Sequence, residues 1–115
     1  MSDIVMSKSD ILQHELAKDF RKGLLKLFIM KMLARESMHG YAIMNRIEEL
    51  SGWKPSPGSL YPALSNLHIN KFITVKVVNM RKVFSITPKG REYIKHLDAT
   101  FDKGIDDIKS IYNDL

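Results

Sequence analysis

The run from Trp53 to Phe72, WKPSPGSLYPALSNLHINKF, constrains the fold more than any other stretch of the chain. Each proline fixes φ and removes a backbone donor, so Pro55, Pro57 and Pro62 leave few places for a regular element to start. Ser56 followed by Pro57 suits a helix start. The serine oxygen at the N-cap accepts from a free amide two or three residues on, and proline at the first helical position loses only an N–H that would be unpaired. Leu60, Leu64 and Leu67 then recur at helical spacing and make one inward face. Ser59, Tyr61, Pro62, Ser65, Asn66 and His68 fall off that face. Pro62, one turn after Pro57, predicts a bend between a tight first turn and the longer leucine-faced segment. The outer surface at the N-terminal end is small, uncharged and rich in hydrogen-bonding groups. Free amides and the helix dipole favour phosphate there. Tyr and Ser donate to backbone oxygens, and Asn can read adenine in the major groove. An ordinary polar helix face has the same composition, so the rest of the chain must decide.

A length of 115 residues fits one domain with an appended arm. Net charge is +5, which suits a polyanionic partner. With no cysteine, disulfides and thiolate–zinc sites are excluded. The start, MSDIVMSKSD, lacks the basic and apolar regions of a secretory signal. The most apolar run, Leu24 to Ala34, is interrupted by Lys26 and Lys31 and is too short to span a bilayer. A cytoplasmic protein with no membrane association is expected.

Ile11, Leu12, Leu16 and Phe20 step at three to four residues and predict an amphipathic helix from about Ser9 to Asp19 or Arg21. Gly23 either separates it from the next element or lies within one continuous helix. Leu24, Leu25, Leu27, Phe28, Ile29, Met30, Met32 and Leu33 are apolar almost all round, which predicts a buried central helix ending near Arg35. Ser37 to Gly40 is expected to be a connection. Tyr41 to Leu50 is predicted as a third helix, with Tyr41, Ile43, Met44, Ile47 and Leu50 facing in and Ser51-Gly52 as its stop. After Phe72 the period becomes two. Ile73, Val75 and Val77, a turn at Asn79-Met80, and then Val83 to Ile86 predict a hairpin with Lys76, Arg81 and Lys82 near its tip. Thr87 and Pro88 supply the N-cap and first residue of a last helix. In that helix Ile94, Phe101, Ile108 and Leu115 fall seven apart, with Leu97, Gly104 and Ile111 between them, an a/d seam of the coiled-coil kind.

The fold class is therefore mainly α with a small β-hairpin, a winged helix-turn-helix plan in which the Trp53–Phe72 helix enters the major groove. It divides into an arm over 1–22, a DNA-binding unit over 23–88 and a dimerisation helix over 89–115. Lys71, Lys76, Arg81, Lys82, Lys89, Arg91 and Lys95 gather around the hairpin against Glu92 alone, while acids outnumber bases beyond it.

The chain resembles the PadR-type transcriptional regulators, of the short kind. The resemblance rests on His39-Gly40-Tyr41, on Lys54 to Leu64 (KPSPGSLYPAL), and on Phe84 to Arg91 (FSITPKGR), and it covers roughly 23–97. It implies a dimeric winged-helix repressor with the C-terminal helix in the dimer interface, and DNA contacts from the serines and tyrosine of the recognition helix. The candidate DNA-binding residues are Ser56, Ser59, Tyr61, Pro62, Ser65, Asn66, Lys76, Arg81 and Lys82. The candidate dimerisation residues are Leu12, Leu16, Ile94, Leu97, Phe101, Ile108 and Ile111. The pattern departs from the family in two places. Lys71 replaces the glycine that usually precedes the wing, so Asn70 or Lys71 must take a left-handed turn, for which Asn is the easier choice. The short wing also lacks a glycine or proline at its tip.

Trp53 is expected to anchor the core. If it borders a cavity, it becomes a stacking platform for a small aromatic or apolar effector. His14, His39, His68 and His96 have no ligand-like spacing, so no metal and no cofactor is expected. Gly58-Ser59 and Lys89-Gly90 fit no catalytic or phosphate-loop motif, which argues against an enzyme. The competing class is a winged-helix adaptor that binds protein rather than DNA.

Overall fold

The computed structural model describes residues 7–114, and at positions 9, 10 and 12–20 the backbone alone. In chain order its elements are α1 (Lys8–Leu33), β1 (Met38–His39), α2 (Gly40–Ser51), α3 (Pro57–Ile69), β2 (Ile73–Val78), β3 (Arg81–Ile86) and α4 (Pro88–Asp114). The two helices expected before Arg35 are one. Gly23 sits in open space on the exposed side of α1, where a missing side chain removes no packing and costs only helix propensity. The boundary at 22 thus falls inside a helix. The side chains of Leu12, Leu16 and Phe20 and residue Leu115 lie outside the described residues.

The core is built from one face of each helix. Leu25, Ile29, Met30 and Leu33 of α1 meet Ile43, Met44 and Ile47 of α2 and Leu60, Ala63, Leu64 and Leu67 of α3. Ile73, Phe84 and Ile94 close it from the sheet and α4. The α2 face is narrower than expected. Tyr41 and Leu50 are 59% and 66% exposed, because Ile43, Met44 and Ile47 already fill the arc that faces α1 and α3. Gly52, at φ 76°, ends α2 and returns its N–H to the Glu48 carbonyl at 2.8 Å.

The sheet has three strands in the order β1-β3-β2. The segment expected to be a simple connection contributes β1, in which Met38 pairs with Phe84 and His39 with Val83. Two residues are too few to show a period, which hid this strand. Between β2 and β3, Ile73 pairs with Ile86 and the register runs out to Val78 opposite Arg81. Asn79 and Met80 join them with φ 51° and 65°, the paired positive values of a type I′ turn.

Residue 71 takes the left-handed position before the wing. Lys71 has φ 64°, while Asn70 stays at φ −81° as the C-cap of α3. Leu67 is locked in the core, and this fixes where the helix ends. The Phe72 amide then returns to the Leu67 carbonyl and the Lys71 amide to the His68 carbonyl, both at 3.0 Å, in a Schellman closure. Asn70 is used otherwise, its amide donating to the Asn66 carbonyl at 2.8 Å.

The start of α4 is fastened to the wing base. The Thr87 hydroxyl oxygen caps α4 by accepting from the Gly90 amide at 3.0 Å. The same hydroxyl lies 2.7 Å from the Lys71 carbonyl oxygen, and the Thr87 amide donates to the Phe72 carbonyl at 3.0 Å. Phe72 stacks on Tyr93 at 4.6 Å between centroids, and the Lys89 ammonium lies 4.9 Å from the Phe72 ring centre. Gly90 permits this closeness, since a Cβ there would collide with the Phe72 carbonyl oxygen. Farther out, Lys31 of α1 meets Asp98 of α4 at 2.8 Å, and Arg91 donates to the Ala34 carbonyl at 3.1 Å.

Candidate nucleic-acid interface

The start of α3 forms as its residues dictate. Ser56 is the N-cap, and its hydroxyl oxygen accepts from the Ser59 amide at 3.2 Å. The helix then runs unbroken through Pro62 to Ile69. Leu60, Ala63, Leu64 and Leu67 point into the core. Ser56, Tyr61, Pro62, Ser65 and Asn66 are exposed, and Ser59 is half-buried.

These outward residues divide along two edges. Tyr61 and Ser65 line a cleft with His68, Val75, Lys82 and Phe84, so this edge faces the wing. Tyr61 also borders a second cleft with His39, Gly40, Tyr41, Arg81 and Lys82. Gly40 makes room for it, because a Cβ there would stand 2.7 Å from the Tyr61 hydroxyl. Ser59, Pro62 and Asn66 lie along the other edge, in a cleft shared with Lys22, Leu25 and Lys26 of α1. Lys22, Lys26 and His68 are absent from the candidates drawn from sequence. Their place beside α3 depends on how α1 crosses it, which no local pattern encodes.

The three wing cations do not share one face. Directly paired residues of an antiparallel ladder point the same way. Lys76 opposite Val83 and Arg81 opposite Val78 therefore lie on one face, and Lys82 opposite Val77 lies on the face of Val75 and Phe84. Lys82 lines two clefts that contain Tyr61 of α3.

Charge is segregated along the chain. Between Glu49 and Glu92 there is no acidic residue, and that stretch holds all of α3, β2 and β3. It carries Lys54, Lys71, Lys76, Arg81, Lys82, Lys89 and Arg91. This acid-free interval is readable in the sequence and extends the wing cluster back across α3. Beyond Glu92, the other acids of α4, Asp98, Asp102, Asp106, Asp107 and Asp114, run from its middle to its C-terminal end.

The proposed dimer residues separate by depth. Ile94 is buried and Leu97 half-buried, while Phe101, Ile108 and Ile111 are 44%, 41% and 61% exposed. The seam starts inside the fold and leaves it after about two turns. Trp53 is half-buried and packs against the core. A cavity of about 260 Å³ between α1 and α2 is lined by Phe28, Lys31, Met32, Ile47, Leu50 and Ser51, so Trp53 does not line it. Among the described residues no cluster of His, Asp and Glu could hold a metal, and no helix is long and apolar enough to cross a membrane.

A helix pair leading into a basic hairpin and a long final helix is the winged helix-turn-helix of transcriptional regulators. The chain belongs to the transcriptional regulator PadR-like family, whose pattern matches residues 29–96, and this is a family of regulators and not of enzymes. The transcriptional regulator YqjI of Escherichia coli is 33% identical over 79 residues, a match that takes in 66% of this chain and 38% of that protein. Solved structures share the fold. A PadR family regulator from Eggerthella lenta superposes with a TM-score of 0.83 at 20% identity, covering 91% of this chain and 96% of that one. A transcriptional regulator from Clostridium thermocellum gives 0.75 at 23% identity, covering 80% and 96%.

Proposed function

We propose that the chain binds double-stranded DNA as a homodimer and acts as a transcriptional repressor released by a small molecule. The observation that carries this is the acid-free interval between Glu49 and Glu92, which coincides with the recognition helix and the wing. A polyanion meets no fixed negative charge in that interval, and phosphate contacts supply most of the affinity of such proteins. In this reading Tyr61, Ser65 and Lys82 engage one backbone wall of the major groove, and Arg81, on the other face of the ribbon, reaches the next phosphate wall. Ser56, Ser59, Pro62 and Asn66 meet the base edges and the opposite wall, where Lys22 and Lys26 join them. Lys76 reaches phosphate from the outer face of the wing.

Dimerisation falls to α4 beyond its third turn, through Leu97, Phe101, Ile108 and Ile111, with Ile94 anchoring the helix to its own subunit. The arm over 1–22, through Leu12 and Leu16, is assigned to the same interface, and 23–88, joined by Lys22 at its border, to DNA. Two-fold symmetry then calls for a pseudo-palindromic target, with recognition helices roughly 34 Å apart. The effector is a small aromatic or apolar molecule, and the cavity between α1 and α2 offers it an apolar wall. The testing experiment is selection of bound duplexes from a random pool at several salt concentrations. Recovery of paired half-sites, with affinity falling as salt rises, is expected. A chain that retains no duplex at low salt is a protein adaptor instead.

A further inference from the structure

The tip of the wing is apolar where its flanks are cationic. Met80 is 97% exposed, Val77 72% and Val78 48%. Each valine is paired directly across the hairpin with a cation, Val77 with Lys82 and Val78 with Arg81. Met80 occupies the second central position of a type I′ turn at φ 65°, where glycine is the unstrained choice. A long apolar side chain is thus held out into solvent on a backbone that disfavours it.

We propose that Met80 is a minor-groove wedge, which enters the groove next to the one read by α3 and pries at a base step so that the duplex bends. The proposal rests on the DNA-binding reading above. Its specific support is shape and charge together. The undistorted minor groove is about 6 Å wide, so that one unbranched side chain at the tip enters it ahead of the ribbon. Methionine is among the apolar residues that architectural proteins insert between bases. Val77 and Val78, branched and set one residue or more back, stop the ribbon at the sugars. Lys82 and Arg81, on opposite faces of the same ribbon, then reach the two phosphate walls. The wing is continuous with the recognition surface, because Tyr61 shares one cleft with Arg81 and Lys82.

The test uses the full chain and the duplexes recovered from the random pool, labelled at both ends for energy transfer. Wild type is expected to shorten the end-to-end distance. Met80→Gly relieves the turn, so the fold is retained, and it removes the wedge. It should abolish the bend and weaken binding about tenfold, with the salt slope unchanged because no charge is lost. Met80→Leu should keep most of the bend. The proposal is overturned if Met80→Gly leaves bend and affinity as in wild type, or if wild type binds without bending the duplex. It is also overturned if the variant alters only self-association, which would make the tip a protein contact. Failure of wild type to bind any pooled duplex would instead remove the DNA-binding reading itself.

Discussion

Replacing Gly90 with alanine tests the join between wing and final helix. The new Cβ would be driven into the Phe72 carbonyl oxygen and would stand 2.7 Å from Ile86 Cγ1. The isoleucine can turn, but the carbonyl is backbone, held by the Thr87 amide at 3.0 Å and with the Thr87 hydroxyl also at 3.0 Å. Relief therefore means shifting α4 off the wing base. Overpacking strain of about 2 kcal/mol and two weakened hydrogen bonds at about 1 kcal/mol each oppose a gain of about 1 kcal/mol in helix propensity. The net expectation is a loss of about 3 kcal/mol, or roughly 10 °C in melting temperature for a chain of this size. Gly23→Ala is the control. It lies in mid-helix with nothing within 4 Å, and should stabilise by up to about 1 kcal/mol. Thermal and urea unfolding followed by circular dichroism, at one fixed protein concentration, measures both. Equal stability of the two variants, within about 0.5 kcal/mol, would refute the close packing of α4 on Phe72.

Ile108→Asp puts a carboxylate into the exposed seam of α4 and should convert a dimer to monomers or aggregates at micromolar concentration by light scattering; a monomeric wild type would end the dimer reading. Lys82→Ala should weaken all duplexes nearly equally and lower the salt slope by about one unit, with an unchanged slope marking a merely solvated charge. Tyr61→Phe should reduce affinity without changing the preferred site. Gly40→Ala should mimic it by displacing the half-exposed Tyr61 ring, with little change in melting temperature, and a normal affinity for Gly40→Ala would mean the ring has no fixed role.

Much of this fold was legible because its punctuation is chemical and local. Ser56-Pro57 and Thr87-Pro88 each mark a helix start, and both caps form as their residue types require. The wing strands were visible in their period of two. What escaped depends on distant partners. β1 exists only because β3 offers it a free edge, and two residues carry no pattern of their own. Asn is the easier left-handed residue, yet Lys71 takes that place, since Leu67 in the core decides where α3 stops. Tyr41 and Leu50 fit a helical period but fall at the margins of the face that α1 and α3 cover. The candidate site was found as a set of residue types, not as a geometry. Its division into a wing edge with Tyr61 and an α1 edge with Asn66 needed the crossing of α1 and α3.

The fastening of α4 at Thr87, Gly90 and Phe72 makes that helix a lever as well as a connector. Its 27 residues extend about 40 Å from wing base to tip. In the proposed dimer joined along the distal half, the free arm is about 20 Å, so a change of about 10° in the angle of one shaft would displace the wing at its far end by about 3.5 Å, close to the rise of one base pair. On the proposed dimeric, DNA-binding reading, a small adjustment where two copies meet would become a change in the length of DNA the pair can span. The backbone contacts at Gly90 leave little slack in which that motion could be lost.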